Sequence, residues 1–179
     1  MGVMKKDRTW EAIFFDASGT LFCEGSDLAA GVQLYPDAKG VVECLRNRKF
    51  VGRQVRTGLI TNWSSRVHQV LQELNLTDCF DVVVCASDVE HGKPAAEPFA
   101  LAAASIGVDL GSCLHVGDSV RDDVFGSHDA GCDSLWVNRR HRELSPGERR
   151  MFQLIGHPPF FDLEEVREYC EKLMQSGVR

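Results

Sequence analysis

Short apolar runs punctuate the chain, and most of them stop at a polar residue. Ala12-Ile13-Phe14-Phe15, Leu59-Ile60, Val82-Val83-Val84-Cys85, Cys113-Leu114-His115-Val116 and Ser134-Leu135-Trp136-Val137 show little alternation with polar positions. Such runs predict strands covered on both faces. Between them apolar residues recur at helical spacing. Ala38, Val41, Val42 and Leu45 form one stripe. Val67, Val70, Leu71 and Leu74 form another, behind an N-cap at Ser64 or Ser65. A third, Phe99, Ala102, Ala103 and Ile106, is begun by Pro94 and stopped by Gly107. A weaker helix runs from about Asp122 to Ala130, with Gly131 as its C-cap. The last opens on Asp162 and Glu165 in capping-box spacing and buries Val166, Tyr169, Cys170 and Leu173. The alternation predicts an α/β fold, a three-layer α/β/α sandwich on a central, mostly parallel, Rossmann-like sheet. Residues 139–159 read as an irregular, solvated loop whose arginines (Arg139, Arg140, Arg142, Arg149, Arg150) lie on the surface.

Length and composition narrow this picture. The 179 residues suffice for a single domain, 1–179, with its core at about 10–139 and a loop and helix over 140–179. The net charge of −6 argues against nucleic acid as a default partner. No apolar run reaches the roughly 18–20 residues that span a bilayer, and the polar start, Met1 to Trp10, lacks the apolar stretch of a secretory signal. The seven cysteines show no C-x-x-C spacing and read as reduced core thiols. A cytoplasmic location is expected.

The chemistry gathers where strands end. In an open parallel sheet, ligands collect beyond the carboxyl ends of the strands. The first strand ends in Asp16, followed by Ala17-Ser18-Gly19-Thr20. The second ends in Thr61-Asn62, and Gly92-Lys93-Pro94 follows the third. The fourth ends in Gly117-Asp118-Ser119, with Asp122 and Asp123 close behind. Asp16, Asp118 and Asp123 would form a carboxylate cluster that calls for a hard, oxygen-seeking ion such as Mg²⁺. With the Lys93 ammonium and the neutral groups of Thr61 and Asn62, the set suits a phosphoryl group. Asp16 would attack phosphorus in line and form an aspartyl-phosphate.

At these residues the chain resembles the haloacid dehalogenase superfamily of hydrolases. The first motif of that family, an apolar run followed by D-x-D-x-T, corresponds to Phe15-Asp16-Ala17-Ser18-Gly19-Thr20. Leu59-Ile60-Thr61-Asn62, Lys93 and Gly117-Asp118-Ser119-Val120-Arg121-Asp122-Asp123 match the second, third and fourth in order, so the likeness spans about Ile13 to Arg139. The resemblance implies that Asp16 is the nucleophile. It implies that Asp16, the Ser18 carbonyl, Asp118 and Asp123 hold Mg²⁺ directly or through water, with Asp122 as the competitor of Asp123. Thr61 and Asn62 would bind phosphoryl oxygens, and Lys93 would anchor both phosphate and Asp16.

Two departures qualify the expected activity. Phosphatases of the family usually carry a second Asp at the Ser18 position, where it protonates the leaving group and later activates water. Serine does this poorly, so the expectation is a slow phosphatase, a substrate with a good leaving group, or a borrowed base. Neither 21–55 nor 61–93 has room for a sizeable cap domain, so the site should be open to a small or bulky phosphorylated substrate, or be covered by another subunit of a homo-oligomer. The alternatives are carbon–halogen hydrolysis through the same Asp16, and a non-catalytic binding or regulatory protein. His91, beside Gly92-Lys93, is a stand-in proton shuttle or a plain loop histidine. His115 reads as a satisfied core residue, and Trp63 as a substrate wall or helix-start packing.

Overall fold

In the computed structural model, residues 10–24, 31–50, 53–155 and 159–176 are described. In chain order the elements are β1 (Ala12–Phe15), β2 (Phe22–Glu24), β3 (Val32–Leu34), α1 (Ala38–Arg46), β4 (Lys49–Phe50), β5 (Arg53–Gln54), β6 (Arg56–Ile60) and α2 (Arg66–Glu73). Then come β7 (Val82–Val84), α3 (Glu97–Ser105), β8 (Cys113–Gly117), α4 (Gly126–Ala130), β9 (Asp133–Trp136), α5 (Pro146–Ile155) and α6 (Leu163–Ser176). The central sheet has the order β7-β6-β1-β8-β9, and every pairing in it is parallel. The five predicted apolar runs are its five strands.

Burial of both sheet faces follows from the alternation along β1. Ile13 and Phe15 point to one side, where Leu59, Leu114, Val116 and Leu135 meet the apolar stripes of α1, α2 and α6. Ala12 and Phe14 point to the other, against Ile60, Val84 and the α3 residues Phe99, Ala102 and Ala103. The α1 stripe is buried as the periodicity predicts, and so are Val67, Val70 and Leu71 of α2. Between β1 and β6 the described residues form the β2–β3 hairpin, α1 and the β4–β5 hairpin. Between β6 and Lys93 they form α2, a 3₁₀ turn and β7.

Three boundaries differ from the sequence reading. The third helix starts at Glu97, with Pro98 in its first turn. Pro94 instead follows a cis peptide after Lys93, in a loop tied down by Glu97, whose carboxylate accepts from the backbone N–H groups of Glu90 (2.9 Å) and His91 (3.0 Å). The helix expected over 122–130 is a π-helical turn, Val120–Phe125, running into α4. Gly131 ends it in the left-handed conformation, φ 96°, as expected of a C-cap glycine.

The third difference is α5, inside the stretch expected to be irregular. Its start carries a reciprocal capping box: the Ser145 N–H donates to Glu148 Oε2 (2.8 Å) and the Glu148 N–H to Ser145 Oγ (3.3 Å). Pro146 follows the cap, where a missing N–H costs nothing. Phe152 of α5 packs 5.2 Å from Trp136 and 6.1 Å from Phe125. At the start of α6 the Glu165 N–H donates to Asp162 Oδ1 (2.8 Å) as predicted, while the Glu165 carboxylate accepts from the Phe161 N–H (2.7 Å) in place of the Asp162 N–H of a reciprocal box.

Arg139 also departs from the solvated reading. Its guanidinium makes a bidentate pair with Asp37 (2.9 and 3.0 Å), donates twice to the Thr20 carbonyl (2.9 and 3.1 Å) and lies 4.0 Å above the Tyr35 ring. Asp37 accepts in addition from the Leu163 N–H at 2.8 Å, so one ion pair joins the turn after β1, the start of α1 and the start of α6. Both side chains are nearly buried, and losing one partner strands the other. Arg139→Ala is expected to destabilise the fold by about 2–4 kcal/mol in equilibrium urea unfolding. Arg139→Lys should recover only part of that, because an ammonium lacks the planar fork.

Candidate active site

The end of β1 delivers Asp16 into the carboxyl edge of the sheet, where the Asp16 N–H is held by the Val116 carbonyl at 2.9 Å. The chain then turns at once. Leu21 and Phe22 both donate to the Ala17 carbonyl (2.9 and 3.2 Å), and the Gly19 N–H donates to Phe22 O (2.7 Å). Gly19 has φ 86°, and a Cβ there would lie 2.2 Å from Asp118 Oδ2. Only glycine fits where this turn meets the next strand end. Asp118 follows β8, which pairs with β1, and the Trp136 indole N–H holds its carbonyl at 2.9 Å.

Carboxylate oxygens of Asp16, Asp118 and Asp123 all lie within 4.8 Å of one another. Asp122 stays outside this group; its side chain is a third exposed and faces Arg121 at 4.0 Å. Lys93 closes the cluster from below. Its Nζ donates to Asp16 Oδ1 (2.6 Å), Asp123 Oδ1 (2.5 Å) and the Ile60 carbonyl (2.8 Å), which uses all three ammonium hydrogens. A phosphoryl oxygen would have to exchange with one of them.

Electrostatics set the protonation pattern. Burial pushes the Asp16 carboxyl up to about 7, against the pull of Lys93. Burial, then the charge of Asp123, raises Asp118 to about 6. Burial also works against Asp123, but Lys93 and then His115 overcome it and hold that carboxyl well below the usual range. Burial disfavours the Lys93 ammonium, yet Asp16 and Asp123 hold its proton more tightly than an ordinary lysine's. With three ionised carboxylates and one ammonium the cluster is two charges short of neutral. That donor set, all oxygen and matching a divalent cation in charge, fits Mg²⁺.

The remaining candidates divide between the site and its supports. Thr61 is buried, and its hydroxyl accepts from the Trp63 N–H at 3.2 Å. Asn62 is occupied in bracing the Lys93 loop: its Oδ1 accepts from the Lys93 N–H (2.8 Å) and its Nδ2 donates to the Lys93 carbonyl (2.9 Å). Ser18 is half-buried and bridges to Phe22 through the backbone. Among the described residues its hydroxyl has no hydrogen-bond partner. His91 is 70% exposed, and its Nδ1 lies 3.7 Å from the Glu97 carboxylate. Trp63 packs edge-on against Phe22, with centroids 5.3 Å apart.

His115 belongs to the site's support, which the sequence did not disclose. Burial lowers its proton affinity, so the ring is neutral. Nε2 lies 3.0 Å from Asp123 Oδ1, which assigns the N–H to that nitrogen. Asp123 Oδ2 accepts from the Ser119 N–H at 2.9 Å. A lone histidine in an apolar strand carries one hint, that a fully buried imidazole needs a partner.

A family model described as haloacid dehalogenase-like hydrolase matches residues 26–131, beginning past the Asp16 turn. The pyrimidine 5'-nucleotidase YjjG of Escherichia coli is 36% identical over 94 residues, covering 51% of this chain and 42% of that protein. A phosphoglycolate phosphatase of Caulobacter vibrioides is 32% identical over 139 residues, covering 76% of this chain and 55% of that protein. The chain thus spans about half the length of these curated relatives. A HAD phosphatase structure from Thermococcus onnurineus superposes with a TM-score of 0.73 over 88% of this chain and 96% of that one, at 20% identity, and shares the fold.

Proposed function

The chain belongs to the haloacid dehalogenase-like hydrolases, and from that premise we propose that it is a Mg²⁺-dependent phosphohydrolase working through an aspartyl-phosphate on Asp16. The observation that carries this reading is the carboxylate group of Asp16, Asp118 and Asp123 with Lys93 bound into it. The relatives named as phosphatases point the same way. Asp16, Asp118 and the Ser18 carbonyl would hold the cation, with Asp123 beside them, and the cation when bound supplies positive charge against the phosphoryl oxygens. Lys93 favours the ionised form of Asp16 against its burial and fixes its aim. Thr61 offers its hydroxyl hydrogen to a phosphoryl oxygen. Asp16 attacks phosphorus, and water then releases phosphate from the acyl intermediate. Without an acid at Ser18, alkyl esters are turned over slowly.

No sizeable cap interrupts the chain on this reading, and the site opens directly to solution. No described helix is long and apolar enough to cross a membrane. The seven free thiols suit a reducing compartment such as the cytoplasm. Carbon–halogen hydrolysis needs Asp16 but leaves the three-carboxylate group without a purpose.

The test pairs turnover with binding. Phosphate release from a panel of phosphate esters and anhydrides should require Mg²⁺ and stop on chelation. Mg²⁺ should also raise the melting temperature, by about 2.7 kcal/mol of added stability at a hundred times its dissociation constant. Asp118→Asn should cancel most of that rise. Turnover that persists after chelation would count against the proposal, as would halide release from a haloacid or phosphate-analogue binding with no turnover of any substrate.

A further inference from the structure

A cavity of about 430 Å³ opens at the amino edge of the central sheet, the edge opposite Asp16. Its walls come from the ends of several elements. Glu11 precedes β1, Arg56 begins β6, Asp81 precedes β7, and Val108 lies between α3 and β8. Glu11 and Asp16 flank β1 at opposite ends, about 16 Å apart at the rise of a strand. The two sites are therefore separate.

The charge of this cavity runs against that of the chain. The net charge is −6, yet residues 44–72 contain no Asp or Glu and carry Arg46, Arg48, Lys49, Arg53, Arg56 and Arg66. Three of these, Arg46, Arg53 and Arg56, line the cavity, facing the carboxylates of Glu11 and Asp81. Three guanidiniums against two carboxylates leave a positive charge, which repels a cation and favours an anion.

The guanidiniums are gathered without being used up. Arg46 Nη2 and Arg56 Nε each lie 3.3 Å from one oxygen of Asp81, and Arg53 Nη1 lies 3.5 Å from Glu11 Oε2. Arg46 Nη1 reaches Thr57 Oγ1 at 3.4 Å. All of these exceed the roughly 2.7–3.2 Å of a good N–H···O bond. The buried pair of Arg139 with Asp37, at 2.9 and 3.0 Å, shows what a satisfied fork looks like in this protein. Among the described residues, the two Nη atoms of Arg56 have no hydrogen-bond partner. The frame that holds the three arginines is nonetheless fixed. The Arg56 N–H donates to the Glu11 carbonyl (2.9 Å), the Val55 N–H to the Arg48 carbonyl (2.9 Å), Gln54 Nε2 to the Arg46 carbonyl (3.1 Å) and the Thr57 N–H to Asp81 Oδ2 (2.9 Å).

Several convergent forks with unspent donors match a tetrahedral oxyanion, which offers more acceptor oxygens than a carboxylate. Beside them the wall turns apolar at Ile106 and Val108. The volume lies within the roughly 300–1,000 Å³ of small-molecule sites. We propose that this cavity is a second, non-catalytic site for a phosphorylated small molecule, with the phosphate on Arg46, Arg53 and Arg56 and the carbon part against Ile106 and Val108. This site stands or falls independently of the phosphohydrolase reading.

The test titrates the metal-free full chain with phenylphosphonate, whose P–C bond resists hydrolysis. Calorimetry gives the affinity, and backbone amide shifts in NMR give the place. Binding should saturate, with shifts grouped at Arg56, Thr57, Asp81 and Gly107 rather than at Gly19 and Asp118. Inorganic phosphate, lacking the ring, should bind about 3-fold or more weakly, and neutral benzamide should not bind. Arg56→Ala should weaken phenylphosphonate about 10-fold or more, and Arg56→Lys should recover part of the loss. The fold should tolerate both, since Asp81 keeps Arg46. Arg53→Ala, on the exposed rim, should weaken it about 3-fold. The inference is overturned if no saturation is reached by about 10 mM. It is also overturned if the shifts centre on Gly19 and Asp118 while Arg56→Ala leaves the affinity unchanged, because the probe has then found the Asp16 site. Equal affinity for phosphate and phenylphosphonate would remove the carbon part and the small-molecule assignment with it. Binding to phosphatidylserine vesicles without saturable phosphonate binding would replace the small ligand by a membrane surface and overturn the inference as well.

Discussion

Asp16→Asn is expected to abolish turnover, lowering kcat by at least about 10⁴-fold, the order seen when a nucleophile is removed from an enzyme that depends on it. The substitution keeps the shape of the side chain and removes its charge. An amide neither attacks phosphorus at a useful rate nor forms the acyl phosphate. The fold should survive, because the charge is a burden to it. Burial pushes the Asp16 carboxyl up to about 7, so an ionised Asp16 in the cation-free protein is held against its preference. A neutral amide lifts that load and still offers an oxygen to the Lys93 ammonium, which keeps its bonds to Asp123 and the Ile60 carbonyl. The melting temperature without Mg²⁺ should therefore stay level or rise, and Mg²⁺ should raise it less than in wild type. Loss of activity with a preserved or raised melting temperature separates a chemical role for Asp16 from a structural one. Turnover within 10-fold of wild type would remove Asp16 as nucleophile.

How far the sequence could show this site depends on the range of each interaction. Asp16, Lys93, Asp118 and Asp123 were legible because parallel strands place their ends on one edge, so residues far apart in sequence share an address. The sheet itself was legible because both of its faces are covered, which leaves uninterrupted apolar runs. Arg139 was not, since its partners Asp37 and Thr20 are chosen by packing that no local pattern encodes. His115 was read as a satisfied core residue, and it is buried and bonded; which group satisfies it was not legible, because Asp123 lies one loop away, on a π-helical turn that periodicity describes poorly. Asn62 shows a limit of motif reading. Its position is as expected, but the structure turns its amide onto the Lys93 backbone. The start of α5 is different again. Ser145-Pro146-Gly147-Glu148 is a local signal, a cap with Pro at the first helical position and Glu two later, obscured by the surrounding charge.

Ser18→Asp carries the opposite expectation from Asp16→Asn, a gain. Ser18 is half-buried on the turn that Gly19 completes against Asp118, and the backbone bonds of Ala17, Gly19 and Phe22 fix that turn independently of the side chain at 18. A carboxyl there would stand near Asp16, Asp118 and Asp123. Like charges raise its proton affinity toward neutrality, where a group serves both as acid and as base. It would protonate a departing alkoxide and later take a proton from the attacking water. The expected gain in kcat/KM for glycerol 3-phosphate is about 10²-fold, at the lower end of what general acid–base catalysis supplies, because the rest of the site has not been shaped around it. Pyrophosphate and acetyl phosphate should change by less than about 3-fold, since their leaving groups need no proton. The gain should also fade at high pH, as the introduced carboxyl loses the proton that the first step requires. A uniform rise across all substrates would mean that release of phosphate from Asp16, rather than departure of the leaving group, limits the native enzyme. No change on the alkyl ester would mean that Ser18 is not what makes such esters poor substrates, and the slow step would then lie in how the open site holds them.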